Sequence, residues 1–152
     1  TSLALFRWFI FNLLIGNGDN HLKNLSFKTA GSRPTLAPFY DLVSTALYEP
    51  DNRWLEAELS WSINGVNQFG SVDMAYVQAL AEPLKISPRL IRATIFELVA
   101  RVSEAADKVI LDLESAEYNG LRKQSELRTL RSFKHGVLSD MSAILNGIAD
   151  AL

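Results

Sequence analysis

Apolar residues crowd the start of the chain. Leu3, Leu5, Phe6, Trp8, Phe9, Ile10, Phe11, Leu13, Leu14 and Ile15 cover every side of a helix over Leu3–Ile15. A helix apolar all round is a buried central helix. Gly16 follows, the residue type that ends helices in a left-handed conformation. Asn17–Asn20 is then dense in turn formers. Leu25-Ser26-Phe27-Lys28 alternates like a short strand, Gly31-Ser32-Arg33-Pro34 reads as a turn, and Thr35-Leu36-Ala37 pairs back as a second strand. Leu42–Pro50 predicts a short helix or turn. Glu58–Ile63 alternates again and runs into Asn64-Gly65, a hairpin signal.

Beyond this the period becomes helical. Ser71 or Asp73 caps a helix reaching about Leu84, and Ser87-Pro88 caps the next. Leu90, Ile91, Thr94, Ile95, Leu98, Val99, Val102, Ala106, Val109, Ile110 and Leu113 keep a helical spacing. Asn119-Gly120 ends or interrupts it. The last helix carries Leu127, Leu130, Phe133, Val137, Leu138, Met141, Ile144, Leu145 and Ile148 on one face, with Gly136 and Gly147 each costing about 1 kcal/mol relative to Ala. The fold class is mainly α, with one or two short β-hairpins.

Composition narrows the picture. A chain of 152 residues, 48% hydrophobic and 21% charged, buries a real core and is not disordered. A formal charge of −2 argues against a general nucleic-acid or anionic-membrane surface, so direct nucleic-acid contact is expected to be weak or none. There is no cysteine, which excludes disulfides, thiolate metal sites and a cysteine nucleophile, and fits a cytoplasmic location. Arg7 and Asn12 interrupt the longest apolar stretch, so no membrane span is expected. The chain opens without Met almost directly into its first helix, and reads as a fragment of a longer protein cut at a domain edge.

The chemistry lies in Asp19-Asn20-His21-Leu22-Lys23-Asn24, with a second carboxylate at Asp41 after Pro38-Phe39-Tyr40. Phosphoryl transfer asks a protein for positioning and charge neutralisation. Asp19 suits the orientation or deprotonation of an attacking hydroxyl. Lys23 suits a transferring phosphate. Asn24 and Asp41 supply an amide and a carboxylate oxygen for magnesium, which keeps its other positions for water and phosphates. His21 sits where a ring holds the loop by hydrogen bonds. The hairpin between the two motifs is expected to bring Asp41 near Asp19.

Asp19-x-His21-x-Lys23-Asn24 followed by Pro38-Phe39-Tyr40-Asp41 resembles the C-terminal kinase lobe of the HipA family, the serine/threonine kinase toxins of bacterial toxin–antitoxin systems. The likeness is sharp over Phe11–Ser44 and looser through Leu84. It implies a helical lobe of a protein-kinase-like fold over residues 1–152. By the same resemblance Asp19 is the catalytic aspartate, Lys23 contacts the transferred phosphate, Asn24 and Asp41 bind magnesium, and His21 stabilises the loop. ATP and Mg2+ are the implied cofactors. A cytosolic protein, such as a tRNA synthetase, is the implied substrate, and a helix-turn-helix antitoxin the implied partner. The family's nucleotide-binding N-terminal part, with its glycine-rich loop, does not precede Asp19 here, so the 152 residues alone are expected to be inactive.

Other readings stand beside this one. The chain is alternatively a non-catalytic module binding an antitoxin or DNA complex, or a phosphotransferase acting on a small molecule or lipid headgroup. Asn17-Gly18-Asp19-Asn20 alone is an ordinary surface turn. Trp8, Trp54 and Trp61 read as core or half-core. His135 reads as a solvent-facing residue rather than a metal ligand. Arg122, Lys123, Arg128, Arg131 and Lys134 read as a solvated helix face, because Glu126 interrupts them.

Overall fold

A first helix, α1 (Ser2–Leu14), is the axis on which the rest packs; Phe6, Ile10 and Leu14 are wholly buried along it. It was traced in a computed structural model that describes residues 1–29, 31, 33–118 and 120–152. Ser32 of the expected Gly31–Pro34 turn and Asn119 of the expected helix break lie outside the described residues. The helix stops as its sequence requires. Gly16 takes φ 65°, its N–H donates to Leu13 O, and Asn17 N–H donates to Asn12 O. That pair of bonds is a Schellman closure.

Two antiparallel hairpins follow. Strands β1 (Phe27–Lys28) and β2 (Thr35–Leu36) pair Phe27 with Leu36 and Lys28 with Thr35. Strands β3 (Glu58–Ile63) and β4 (Val66–Gln68) close through Asn64 at φ 52° and Gly65 at φ 81°, a turn that needs two left-handed residues. Between the hairpins lie three short 3-10 turns, Thr45–Tyr48 within the expected 42–50 segment, then Pro50–Asn52 and Trp54–Glu56.

The helical half begins at α2 (Met74–Ala81), where the Asp73 carboxylate accepts the Tyr76 N–H at 2.8 Å. It is shorter than its pattern suggested. Pro83 cannot donate to the ladder, so Glu82–Leu84 tightens into a 3-10 turn. Ser87 caps α3 (Pro88–Glu114), which buries Ile91, Thr94, Ile95 and Leu98 against α1 and the last helix.

The last helical run departs from a one-face helix. α4 (Leu121–Ser132) and α5 (Ser139–Asp150) are joined by a π-turn, Phe133–Leu138. Gly136, Val137 and Leu138 are buried in succession, which one face of an α-helix at 100° per residue does not allow. Gly136 has a packing reason: a Cβ there would lie 2.7 Å from the Trp54 ring. Gly147 faces open space.

Trp8 is buried, Trp54 and Trp61 are half-buried, and His135 is exposed. Three basic residues of α4 are spent locally. Arg122 pairs with Glu126 and Arg131 with Glu114, while Lys123 donates to the Glu114 and Ala116 carbonyls at 2.7 and 2.9 Å.

Candidate active site

The Schellman closure delivers Asn17 into the core, 2% exposed. Its amide nitrogen donates to Asn12 Oδ1 at 2.7 Å and to the Asp41 carbonyl at 3.1 Å, and its Oδ1 accepts the Asp19 N–H at 3.0 Å. One side chain therefore joins the end of α1, the loop carrying Asp19 and the segment carrying Asp41. Asn12 is held in turn by its own donation to Trp8 O at 2.8 Å. Buried amides satisfied at both ends rigidify a site, because each has no better partner elsewhere.

The loop is also gripped from outside. Thr45 Oγ1 accepts the Gly18 N–H at 2.7 Å and donates to Gly16 O at 3.3 Å. From β3, the Ser60 hydroxyl donates to Gly18 O and the Trp61 indole donates to Asn20 O at 2.8 Å. The Tyr76 hydroxyl donates to Trp61 O at 2.8 Å, and burial pushes its pKa up to about 12. A Cβ at Gly18 would lie 2.5 Å from Glu58 O, so only glycine lets the hairpin approach this closely.

The second motif is tied down in the same way. Phe39 stacks at a tilt on Trp8, 6.2 Å between ring centres. The Tyr40 hydroxyl donates to Lys23 O at 2.6 Å, joining the second motif to the first. Asp41 takes φ 53°, a left-handed conformation that Asp tolerates better than most residues.

What remains free is the side chains. Asp19, His21, Lys23 and Asp41 are exposed, while Asn24 is 6% exposed. Asn24 gives its amide nitrogen to Asp19 O at 2.8 Å, and no hydrogen bond among the described residues uses its Oδ1. His21 Nε2 lies 3.5 Å from Asp19 Oδ1, with both side chains exposed. Asp19 borders an open cleft of about 470 Å3, also lined by Gly18, Thr45, Glu49, Glu56 and Glu58. Among the described residues no lysine or arginine pairs with Asp19 or Asp41. The backbone is fixed and its carboxylates have no cationic partner among the described residues, which suits a cation, and a phosphate only where a cation bridges to it.

The sequence nominates Asp19, His21, Lys23, Asn24 and Asp41 as candidates but not the scaffold that holds their backbone: Asn12, Asn17, Thr45, Ser60 and Trp61. Asn12 carried a signal, as an amide in the last turn of an otherwise apolar helix. Thr45 and Ser60 carried none.

The model of the HipA-like C-terminal domain matches residues 1–107, which hold the loop, both motifs and both hairpins. The chain belongs to the HipA-like C-terminal domain family. The Shewanella oneidensis serine/threonine-protein kinase toxin HipA is 33% identical over 111 residues, 72% of this chain and 24% of that protein. A putative kinase of Sinorhizobium fredii is 34% identical over 122 residues, 77% of this chain and 28% of that protein. A chain in the solved complex of Shewanella oneidensis HipA, HipB and operator DNA superposes with a TM-score of 0.75 and 25% identity, over 97% of this chain and 33% of that one. The HipA-like chain thus spans between a quarter and a third of the length of these relatives, and the structural likeness takes in its C-terminal helices as well.

Proposed function

We propose that this chain is the C-terminal catalytic lobe, over residues 1–152, of a longer serine/threonine protein kinase that moves the γ-phosphate of ATP onto a protein. The observation that carries the reading is the Asn17 amide, bonded at once to Asp19 N–H and Asp41 O. It holds two carboxylate-bearing segments, 22 positions apart in sequence, in one fixed relation. Kinship with proteins named kinases adds the class of reaction.

In this reading the Asp19 carboxylate accepts the proton of the substrate hydroxyl. The hydroxyl oxygen forms a bond to the γ-phosphorus as the bond to the β-phosphate oxygen breaks, leaving ADP. Lys23 offsets charge on the transferred phosphate, and His21, whose Nε2 lies 3.5 Å from Asp19 Oδ1, stabilises the loop. The donor set fits magnesium. Asn24 Oδ1 and the Asp41 carboxylate are hard oxygen donors, and among the described residues no cluster of three or more His, Cys, Asp or Glu could hold an ion without phosphates and water. Such an ion would neutralise phosphate charge; Asn24 and Asp41 would hold it.

A cytosolic protein of the tRNA-synthetase class is the proposed substrate. A helix-turn-helix antitoxin is the proposed partner, supported by the likeness to a chain crystallised with HipB and DNA. The proposed location is the cytoplasm; no described helix is long and apolar enough to cross a membrane. The free, unneutralised side chains favour catalysis over a purely binding role. Labelled-phosphate transfer tests the reading: the longer protein transfers, Asp41→Ala and Asn24→Ala lose transfer and magnesium dependence, and the 152 residues alone are inert. Wild-type rates in both variants would overturn the site, and transfer by the isolated chain would overturn the two-part cleft.

A further inference from the structure

The candidate loop has a support that lies beyond the residues matched by the family model. Two glycines of the loop are closely approached, Gly16 by Val137 of the last helical run and Gly18 by Glu58 of β3. Val137 Cγ1 sits 2.7 Å from where a Cβ on Gly16 would be. Next to Val137, Gly136 opens a slot for the Trp54 ring, three of whose carbons would lie 2.7 to 3.1 Å from a Cβ on Gly136. One turn further on, Asp140 Oδ2 accepts the Trp54 indole N–H at 2.6 Å across 86 residues of sequence. Trp54 in turn governs the segment that presses on Gly18. Its carbonyl accepts the Ala57 N–H at 3.2 Å, and Glu58 O, one residue later, makes the close approach to Gly18.

The π-turn is what permits this. Gly136 must face Trp54 while Val137 faces Gly16, with α4 and α5 both kept in register against α3. A π-turn absorbs one extra residue in a helix, and such turns concentrate at functional sites. Phe133–Leu138 contacts both the Thr45–Tyr48 and the Trp54–Glu56 turns, the two turns flanking the loop.

We infer that the π-turn Phe133–Leu138 sets the position of the catalytic loop, with Asp140 a positioning residue that acts through Trp54. This rests on the kinase reading for its catalytic consequence but not for its structural one. The two are separated by measuring amide hydrogen exchange on the 152-residue chain and transfer kinetics on the longer protein. Asp140→Ala should speed exchange at Gly18, Ala46 and Ala57 about tenfold, leaving α3 amides such as Leu98 unchanged. Asp140→Asn keeps an acceptor oxygen and should stay within twofold of wild type. Trp54→Phe removes the indole donor together with ring carbons that fill the Gly136 slot, and should speed exchange at the same three amides at least as much as Asp140→Ala. In the longer protein, Asp140→Ala should lower kcat about tenfold with KM for ATP within twofold, and Asp140→Asn should restore it. Unchanged exchange at the three amides overturns the inference, as does uniform acceleration through α1 and α3, which would make Asp140 a global stabiliser. Faster local exchange with an unaltered kcat overturns it too. If the unsubstituted longer protein transfers nothing, the kinase reading fails, and the exchange pattern alone decides the coupling.

Discussion

The loop Gly16–Asn24 and the helix α4 are both polar segments that must be held against an apolar body, and they are held by opposite means. In the loop the amides Asn12, Asn17, Asn20 and Asn24 are each at most 7% exposed, and half-buried Thr45 and Trp61 and exposed Ser60 reach in from distant parts of the chain. In α4 no residue is buried, and its polar attachments run from Arg131 to Glu114, from Glu126 to Tyr118 and from Lys123 to the carbonyls at the end of α3. A buried hydrogen-bonding group left without its partner costs about 1–3 kcal/mol, whereas an exposed ion pair contributes about 0–1 kcal/mol. Position is therefore specified in the loop and merely favoured in α4. A site whose reacting groups must sit within a fraction of an ångström needs the first kind of support.

The sharpest test separates scaffold from chemistry inside the loop itself. Asp19→Ala removes an exposed side chain whose backbone is fixed by other groups. Transfer by the longer protein should fall at least about a hundredfold. The unfolding free energy of the 152-residue chain should move by no more than about 0.5 kcal/mol, as for other surface changes. A large loss of stability would mean the carboxylate belongs to the scaffold after all. Asn17→Ala should do the reverse in order of cause. It strands the Asp19 N–H and the Asn12 amide, so denaturant unfolding should show a loss of about 1–3 kcal/mol, with transfer falling as the loop loosens. Wild-type stability in Asn17→Ala would remove the distinction drawn here.

An intermediate case lies on the helix that leads into the loop. Arg7 on α1 donates to both carboxylate oxygens of Glu97 on α3, at 2.6 and 2.9 Å, and Arg101 adds a third contact at 3.2 Å. The Arg7 hydrogen bonds, then that of Arg101, hold the Glu97 carboxyl down at about 2 against an ordinary 4.5. A depressed carboxyl pKa contributes stability above the unfolded value and loses it as protons are added in the folded state. The pair should therefore support the fold above pH 4.5 and fade as pH falls toward 2. Glu97→Gln should flatten that part of an acid-unfolding curve. An identical curve in both proteins would show that the pair adds nothing beyond its geometry.

The sequence read well where a feature is written in a few adjacent residues. The end of α1 is legible from Gly16, the second hairpin from Asn64-Gly65, and the α2 and α3 caps from Asp73 and Ser87, while the candidate site side chains rest on two linked motifs. Features made by pairs of distant residues were not legible. Nothing near Thr45 signals that its hydroxyl meets Gly18, 27 positions back, and nothing near Ser60 signals the same loop 42 positions away. The π-turn was hidden for a related reason. Its apolar spacing passes for an ordinary amphipathic helix until Trp54 is known to occupy the space over Gly136. Gly136 then changes from a local helix penalty into a condition of packing.

The smallest expected effect falls on α4, and it is informative because it is small. Arg131 reaches Glu114 at 2.5 Å, and both side chains are well exposed. Opposite charges in water are attracted weakly, and ordering two long side chains offsets much of the gain. Arg131→Ala should cost less than about 1 kcal/mol in denaturant unfolding. At 1 M salt, where charges beyond about 3 Å are screened, the difference from wild type should shrink further. Asn17→Ala, measured beside it, should keep its full cost at both salt concentrations, because its partners are short, buried and uncharged. If the two variants respond alike to salt, the loop is held by the same exposed electrostatics as α4. If they part, fixed position in this lobe comes from buried amides, and the charged helix is an outer brace whose main duty is to carry the π-turn into place.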